Sequence, residues 1–129
     1  MKFVSTFAAV AMLAAPFAVP TSALAHTKVV ASTPAQGATV KAPRSVSLTF
    51  SEALLPPTAA ASIVMTAMPG MANHGEMVIR NFTTAWSNSN KTMTLSLKQP
   101  LRAGTYEVRW QAAGADGHRM KGVVNFVTS

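Results

Sequence analysis

Between residues 65 and 77 stand four methionines, Met65, Met68, Met71 and Met77, with His74 among them. Neutral thioethers joined by one imidazole form a soft, polarizable donor set, suited to Cu(I) and unsuited to hard cations such as Mg²⁺ or Ca²⁺, which prefer oxygen. In a regular strand, residues three apart point to opposite faces, so Met65, Met68 and Met71 would not meet there. A helix could gather them, but Pro69 and Gly70 interrupt the run and would break it. The expectation is therefore an irregular loop that curls its sulfurs and His74 around one centre. The competing use of methionine is to fill gaps in a core, but core filling requires neither a Pro-Gly interruption nor a companion histidine.

A second set of donors lies at the two ends of the chain. Lys2 supplies a positive start, Phe3 to Val19 is apolar and rich in alanine, and Ala23-Leu24-Ala25 is an A-x-A cleavage pattern. Residues 1–25 thus read as a cleaved signal peptide, too short and too interrupted by Pro16 and Pro20 to anchor in a membrane. Cleavage would make His26 the first residue, offering an α-amine and an imidazole that close a chelate around one metal. The α-amine has an ordinary pKa of about 7.7–8.0, so a strong metal can displace its proton near neutrality. Near the other end, Asp116 and His118 are two apart and share a face if extended. Nitrogen and carboxylate donors in a tetragonal array suit Cu(II). The chain has three histidines, and all of them fall in these two constellations. Met120 follows Arg119 close enough to approach the second set of donors, although a strand-edge residue is the preferred reading, and Met93 belongs to the core pattern and is not counted as a ligand.

Residues 26–129 are enough for one domain with one modest core, and with no second long apolar run a soluble mature protein is expected. Cysteine is absent, which removes disulfides and thiolate sites. In an oxidising compartment thioethers can hold Cu(I) without being lost to disulfides, although they can form sulfoxides. Setting Lys2 aside leaves ten Lys and Arg against four acids, Glu52, Glu76, Glu107 and Asp116. The basic residues are scattered singly and lack interleaved aromatics, which argues against a nucleic-acid face and for ordinary solvated charge.

The elements that must position these donors read as short strands between turns. Lys28 to Ser32 is a first strand, closed by Pro34 and Gly37. Ser45 to Phe50 alternates, with Val46, Leu48 and Phe50 on one face. Ala61 to Thr66 leads into the methionine stretch, and Met77 to Thr83 resumes extended structure. A polar turn at residues 87–90 precedes Thr92 to Leu97, which turns Met93, Leu95 and Leu97 inward. Leu101 to Trp110 places Tyr106, Val108 and Trp110 on one face, and Gly122 to Thr128 is the last strand. The placement of Tyr106 matches a tyrosine corner, whose hydroxyl bonds back to the main chain. About seven short strands with no amphipathic helix and no internal repeat predict an all-β, Ig-like Greek-key β-sandwich.

Several motifs together resemble the CopC/PcoC family of periplasmic copper-resistance proteins: His26-Thr-Lys, the stretch Ser32 to Gly37, Leu48 to Glu52, the methionine run, Ala103 to Trp110, and Asp116-Gly-His118. The resemblance covers essentially all of the mature chain in order. It implies a small β-sandwich with a Cu(II) site at His26, Asp116 and His118 and a Cu(I) site at Met65, Met68, Met71, His74 and Met77. Glu52 falls beside the Cu(II) ligands rather than among them. Here Gly117 and Arg119 flank the histidine where family members often carry Thr and Pro. The implied function is periplasmic copper binding for resistance and homeostasis, by a monomer that is not an enzyme. It would deliver copper to an inner-membrane transporter of the CopD type or to another periplasmic copper protein. The alternatives are a copper-dependent oxidative enzyme using the terminal-histidine brace, and a metal-free structural sandwich.

Overall fold

The computed structural model describes residues 27–71 and 75–129. Residues 1–25, expected to be a signal peptide, His26 and His74 therefore lie outside the described residues. Among the described residues nine strands follow in order: β1 Val29–Thr33, β2 Thr39–Val40, β3 Ser45–Phe50, β4 Ala60–Ala67, β5 Met77–Ile79, β6 Phe82–Ser87, β7 Thr92–Leu97, β8 Gly104–Ala113 and β9 Arg119–Thr128. A single 3-10 turn at Pro56–Thr58 is the only helical piece among the described residues, and no helix there is long and apolar enough to cross a membrane. The strands form two sheets, one ordered β1-β3-β7-β6 and the other β2-β9-β8-β4-β5. The chain changes sheet between β1 and β2, β2 and β3, β3 and β4, β5 and β6, and β7 and β8, as the expected Greek-key sandwich requires.

The alternation in the sequence becomes the core directly. Val46, Leu48 and Phe50 from β3 and Met93, Leu95 and Leu97 from β7 meet Ile63 and Met65 from β4, Tyr106, Val108 and Trp110 from β8, and Val124 and Phe126 from β9. Facing apolar sides of two pleated sheets exclude water between them, which is what stabilises a sandwich of this size. Phe50 sits at the centre of an aromatic group, edge-on to Trp110 with centroids 4.8 Å apart and stacked on Trp86 at 6.3 Å. Met93 is buried, as its place in the alternating pattern predicts.

The tyrosine corner is present. The Tyr106 hydroxyl donates to the Arg102 carbonyl at 2.6 Å, and the ring stacks on Phe126 with centroids 5.4 Å apart. Burial pushes the phenol above its ordinary pKa, with a smaller opposing effect from Arg102, so the hydroxyl stays a neutral donor.

Three strand boundaries differ from expectation. The extended run from Met77 is two strands in different sheets: β5 ends at Ile79 on β4, and β6 begins at Phe82 on β7. The segment from Leu101 enters its sheet only at Gly104, because the preceding residues form the corner that Tyr106 ties down. The last strand starts at Arg119 rather than Gly122, paired with β8 throughout, from Ala113↔Arg119 to Gly104↔Thr128. Met120 is therefore inside β9, directly opposite the buried Ala112.

Candidate metal centres

The methionine run is organised by a strand more than by a loop. Met65 lies in β4, 3% exposed, paired with Tyr106 on one side and Met77 on the other. The pairing Met65↔Tyr106 is followed by Ala67↔Thr105, which leaves Thr66 as an extra residue in a bulge. This bulge answers the spacing objection raised by the sequence. A separation of three puts residues on opposite faces of a regular strand, and one inserted residue returns Met65 and Met68 to the same side. Met77 stands opposite Met65 in the cross-strand pair and shares that side too. The three methionines line one cavity of about 300 Å³, completed by Ile79, Leu101 and Tyr106 among others.

Met71 is placed differently. Pro69 and Gly70 form a tight turn, with Gly70 at φ 76° and the Met71 amide donating to the Met68 carbonyl at 3.1 Å. Only glycine reaches that φ without strain, so the Pro-Gly pair that stops a helix here builds a turn that carries Met68 and Met71 on its two limbs. Met71 is 53% exposed and Met77 48% exposed. The return limb is held by Arg109 on β8, whose guanidinium binds the Glu76 carboxylate in a two-point contact at 2.7 and 3.2 Å and also reaches Glu107 at 2.9 Å. That contact keeps the Glu76 carboxyl below its ordinary range.

Gly104 is where the bulge and β8 come closest. A Cβ there would stand 2.8 Å from the Ala67 carbonyl oxygen and 3.3 Å from the Met65 methyl. The nearer clash is with backbone, which a rotamer change cannot relieve. Gly104→Ala is expected to cost about 1–3 kcal/mol as an overpacking change, read as a lower urea midpoint.

At the opposite end of β8, the hairpin from Gly114 to His118 carries the second donor set. Gly117 has φ 82°, its amide donates to the Gly114 carbonyl at 2.9 Å, and the Gly114 amide donates to the His118 carbonyl at 3.2 Å. Within this turn Asp116 and His118 face each other: His118 Nδ1 is 2.8 Å from Asp116 Oδ2, and the His118 amide donates to Asp116 Oδ1 at 3.0 Å. Both side chains are exposed. The hydrogen bond to Asp116 is the main cause that raises the His118 ring above its ordinary pKa, and the same bond is the main cause that lowers Asp116.

The signs follow from linkage. A raised imidazole contributes below its unfolded value and fades as pH climbs through the folded one, while a lowered carboxyl contributes above its unfolded value and fades as pH falls through the folded one. The pair thus acts between those two folded values, weakly because both groups meet water. In copper-free protein the His118 ring is expected to titrate above about 6.5, and Asp116→Asn to bring it down. Long-range proton–nitrogen NMR spectra of the ring check both.

The start of the described chain comes to this hairpin. The Thr27 amide donates to Met120 Sδ at 3.0 Å although 93 residues separate them, and the Lys28 amide donates to Ser51 Oγ at 3.0 Å. Residue 27, which directly follows His26, is thereby fixed beside β9, and Glu52 is exposed next to Ser51. The Met120 contact was not legible from spacing, since nothing local links residues so far apart. Among the described residues no three His, Asp or Glu side chains gather as a metal site; Asp116 and His118 are a pair, and His26 lies outside the described residues. A larger groove of about 580 Å³ runs past Ser62, Trp110 and Lys121, and its lining contains no sulfur or imidazole.

Comparison with known proteins agrees with this architecture. The CopC domain matches residues 29–129. The copper resistance protein C of Pseudomonas syringae pv. tomato is 42% identical over 117 residues, spanning 91% of each chain, and that of Escherichia coli is 35% identical over 105 residues, spanning 81% of this chain and 82% of its own. The crystal structure of PcoC, a methionine-rich copper resistance protein from Escherichia coli, superposes with a TM-score of 0.72 at 32% identity, over 81% of this chain and all of that one. Matched from β1 to its last residue and aligned with these relatives along most of its length, the chain belongs to the CopC family.

Proposed function

We propose that this protein is a periplasmic copper carrier with two separate binding places. Cu(II) is held by His26, Asp116 and His118, and Cu(I) by Met65, Met68, Met71, His74 and Met77. The carrier performs no chemistry on its cargo beyond binding and release, and passes copper to a membrane transporter of the CopD type or to another periplasmic copper protein. Export rests on the basic start, apolar run and A-x-A pattern of residues 1–25.

The observation that carries this reading is that Met65, Met68 and Met77 line one cavity while Met71 and Met77 stay about half exposed. A methionine used only for packing gains by complete burial. Sulfurs held at the water boundary gain nothing from that position by packing, but are accessible to a soft ion. At the other end, His118 Nδ1 and Asp116 Oδ2 stand 2.8 Å apart on an exposed turn, so that a shared proton sits between two donors that a cation could also use. A divalent ion displaces that proton and can bind both donors.

Copper loading of protein processed by its own leader and recovered from the periplasm tests the proposal. Native mass spectrometry is expected to count one Cu(II), and one further copper when Cu(I) is supplied without oxygen. Electron paramagnetic resonance is expected to show a tetragonal Cu(II) signal with nitrogen coupling. Protein that retains copper in neither state would end the reading.

A further inference from the structure

We propose that Met120 is an additional ligand at the hairpin end, a thioether that gives the Cu(II) site affinity for Cu(I) as well. The inference rests on the assignment of His26, Asp116 and His118 above and extends it to a fourth side chain of different softness.

Four observations place Met120 there. Its sulfur accepts the Thr27 amide at 3.0 Å, which puts it in contact with the start of the described chain while the residue packs, partly buried, against the edge of the core. Gly114 marks the second side: the position that a Cβ would take on it is 3.3 Å from Asp116 Oδ1 and 3.9 Å from the Met120 methyl. Carboxylate and thioether thus flank the same empty point. His118 immediately precedes β9 and Met120 is its second residue, a spacing that sends both side chains to one face of an extended chain. Finally, the buried Thr27 Oγ1 has no hydrogen-bond partner among the described residues, which leaves polar capacity beside the sulfur.

The consequence for copper is specific. Imidazole, amine and carboxylate favour Cu(II), and a set of those alone should hold Cu(I) poorly, whereas a thioether selects Cu(I). With Met120 added, the hairpin end keeps a reduced ion that it would otherwise release. To bind, the sulfur exchanges a weak N–H contact from Thr27 for a metal bond, and no covalent bond of the protein is broken.

The test uses periplasm-processed protein in which Met68, Met71 and Met77 are leucine, a volume-conserving change that silences the other end. Into this background Met120→Leu is introduced. Cu(I) affinity is measured without oxygen by competition with a chromophoric Cu(I) chelator, and Cu(II) affinity by competition with an amino-acid chelator. Losing even an outer-shell partner costs metal sites about 10–100-fold. Met120→Leu is therefore expected to lower Cu(I) affinity at least about tenfold and leave Cu(II) affinity within about threefold. X-ray absorption of the Cu(I) form is expected to show a sulfur neighbour in the background protein that Met120→Leu removes. Unchanged Cu(I) affinity, or a Cu(I) spectrum without sulfur before the change, overturns the proposal. His118→Ala in the same assays tests the assignment beneath it: loss of Cu(II) binding upholds the hairpin site, and retention of Cu(II) with an unaltered spectrum removes that site and the role of Met120 together.

Discussion

Replacing Met68 and Met77 together by leucine is expected to lower Cu(I) affinity at the β4–β5 cavity by at least about a hundredfold, beyond the range seen when only an outer partner of a metal site is lost. Cu(II) binding at the hairpin should be untouched. The two residues are chosen because they share the cavity with Met65, and because neither is fully buried. Leucine conserves their volume, so the fold should persist at a cost below about 1.5 kcal/mol for each change. Met65 is a different case: it is 3% exposed and belongs to the core as well as to the cavity. A substitution there mixes stability with binding. Competition with a chromophoric chelator in the absence of oxygen measures the affinity, and a far-ultraviolet spectrum with an unchanged urea midpoint shows that folding has been preserved. Cu(I) affinity equal to that of the native protein would remove the cavity assignment.

Phe50→Ala is expected to be the most destabilising single change in the sandwich. Phe50 is 1% exposed, closes β3, and contacts both Trp86 and Trp110. Truncating a buried phenylalanine costs about 3–5 kcal/mol, against a total stability of about 5–15 kcal/mol for a domain. Urea denaturation should show the midpoint falling steeply with little change in slope, and Phe50→Leu should recover part of the loss. The effect should reach the hairpin end, because Ser51, next in the chain, exchanges hydrogen bonds with Lys28 on both sides: the Ser51 amide donates to the Lys28 carbonyl, and the Lys28 amide donates to the Ser51 hydroxyl. Loosening Phe50 therefore loosens the segment that leads back to His26.

The parts of the fold that follow from local periodicity could be read from the sequence. Ser45 to Phe50 and Thr92 to Leu97 are strands with the expected bounds, and their alternating residues are the core. The Tyr106 corner was equally legible, because its hydroxyl bonds to Arg102, four residues upstream. What could not be read depends on pairing between distant segments. The bulge at Thr66 exists because β4 pairs with β8, and no residue type near Thr66 announces it. Reasoning from a regular strand therefore excluded the arrangement that brings Met65 and Met68 together. The division of residues 77–87 between two sheets is likewise decided by partners, β4 for one piece and β7 for the other. The chemistry of Asp116 and His118 was visible in their spacing, but the contact of Thr27 with Met120 was not.

The length of β8 has an electrostatic consequence. The strand runs ten residues from Gly104, beside the methionine cavity, to Ala113, just before the Asp116 hairpin. At about 3.4 Å per residue it spans about 30 Å. Charges in water at physiological salt are screened over about 8 Å, so a cation arriving at one end is nearly invisible to the donors at the other. Occupying either end should leave the affinity of the other unchanged, with no cooperativity in either direction. On the two-site reading proposed above, each pole would then fill and empty according to the partner in front of it, regardless of what the opposite pole carries.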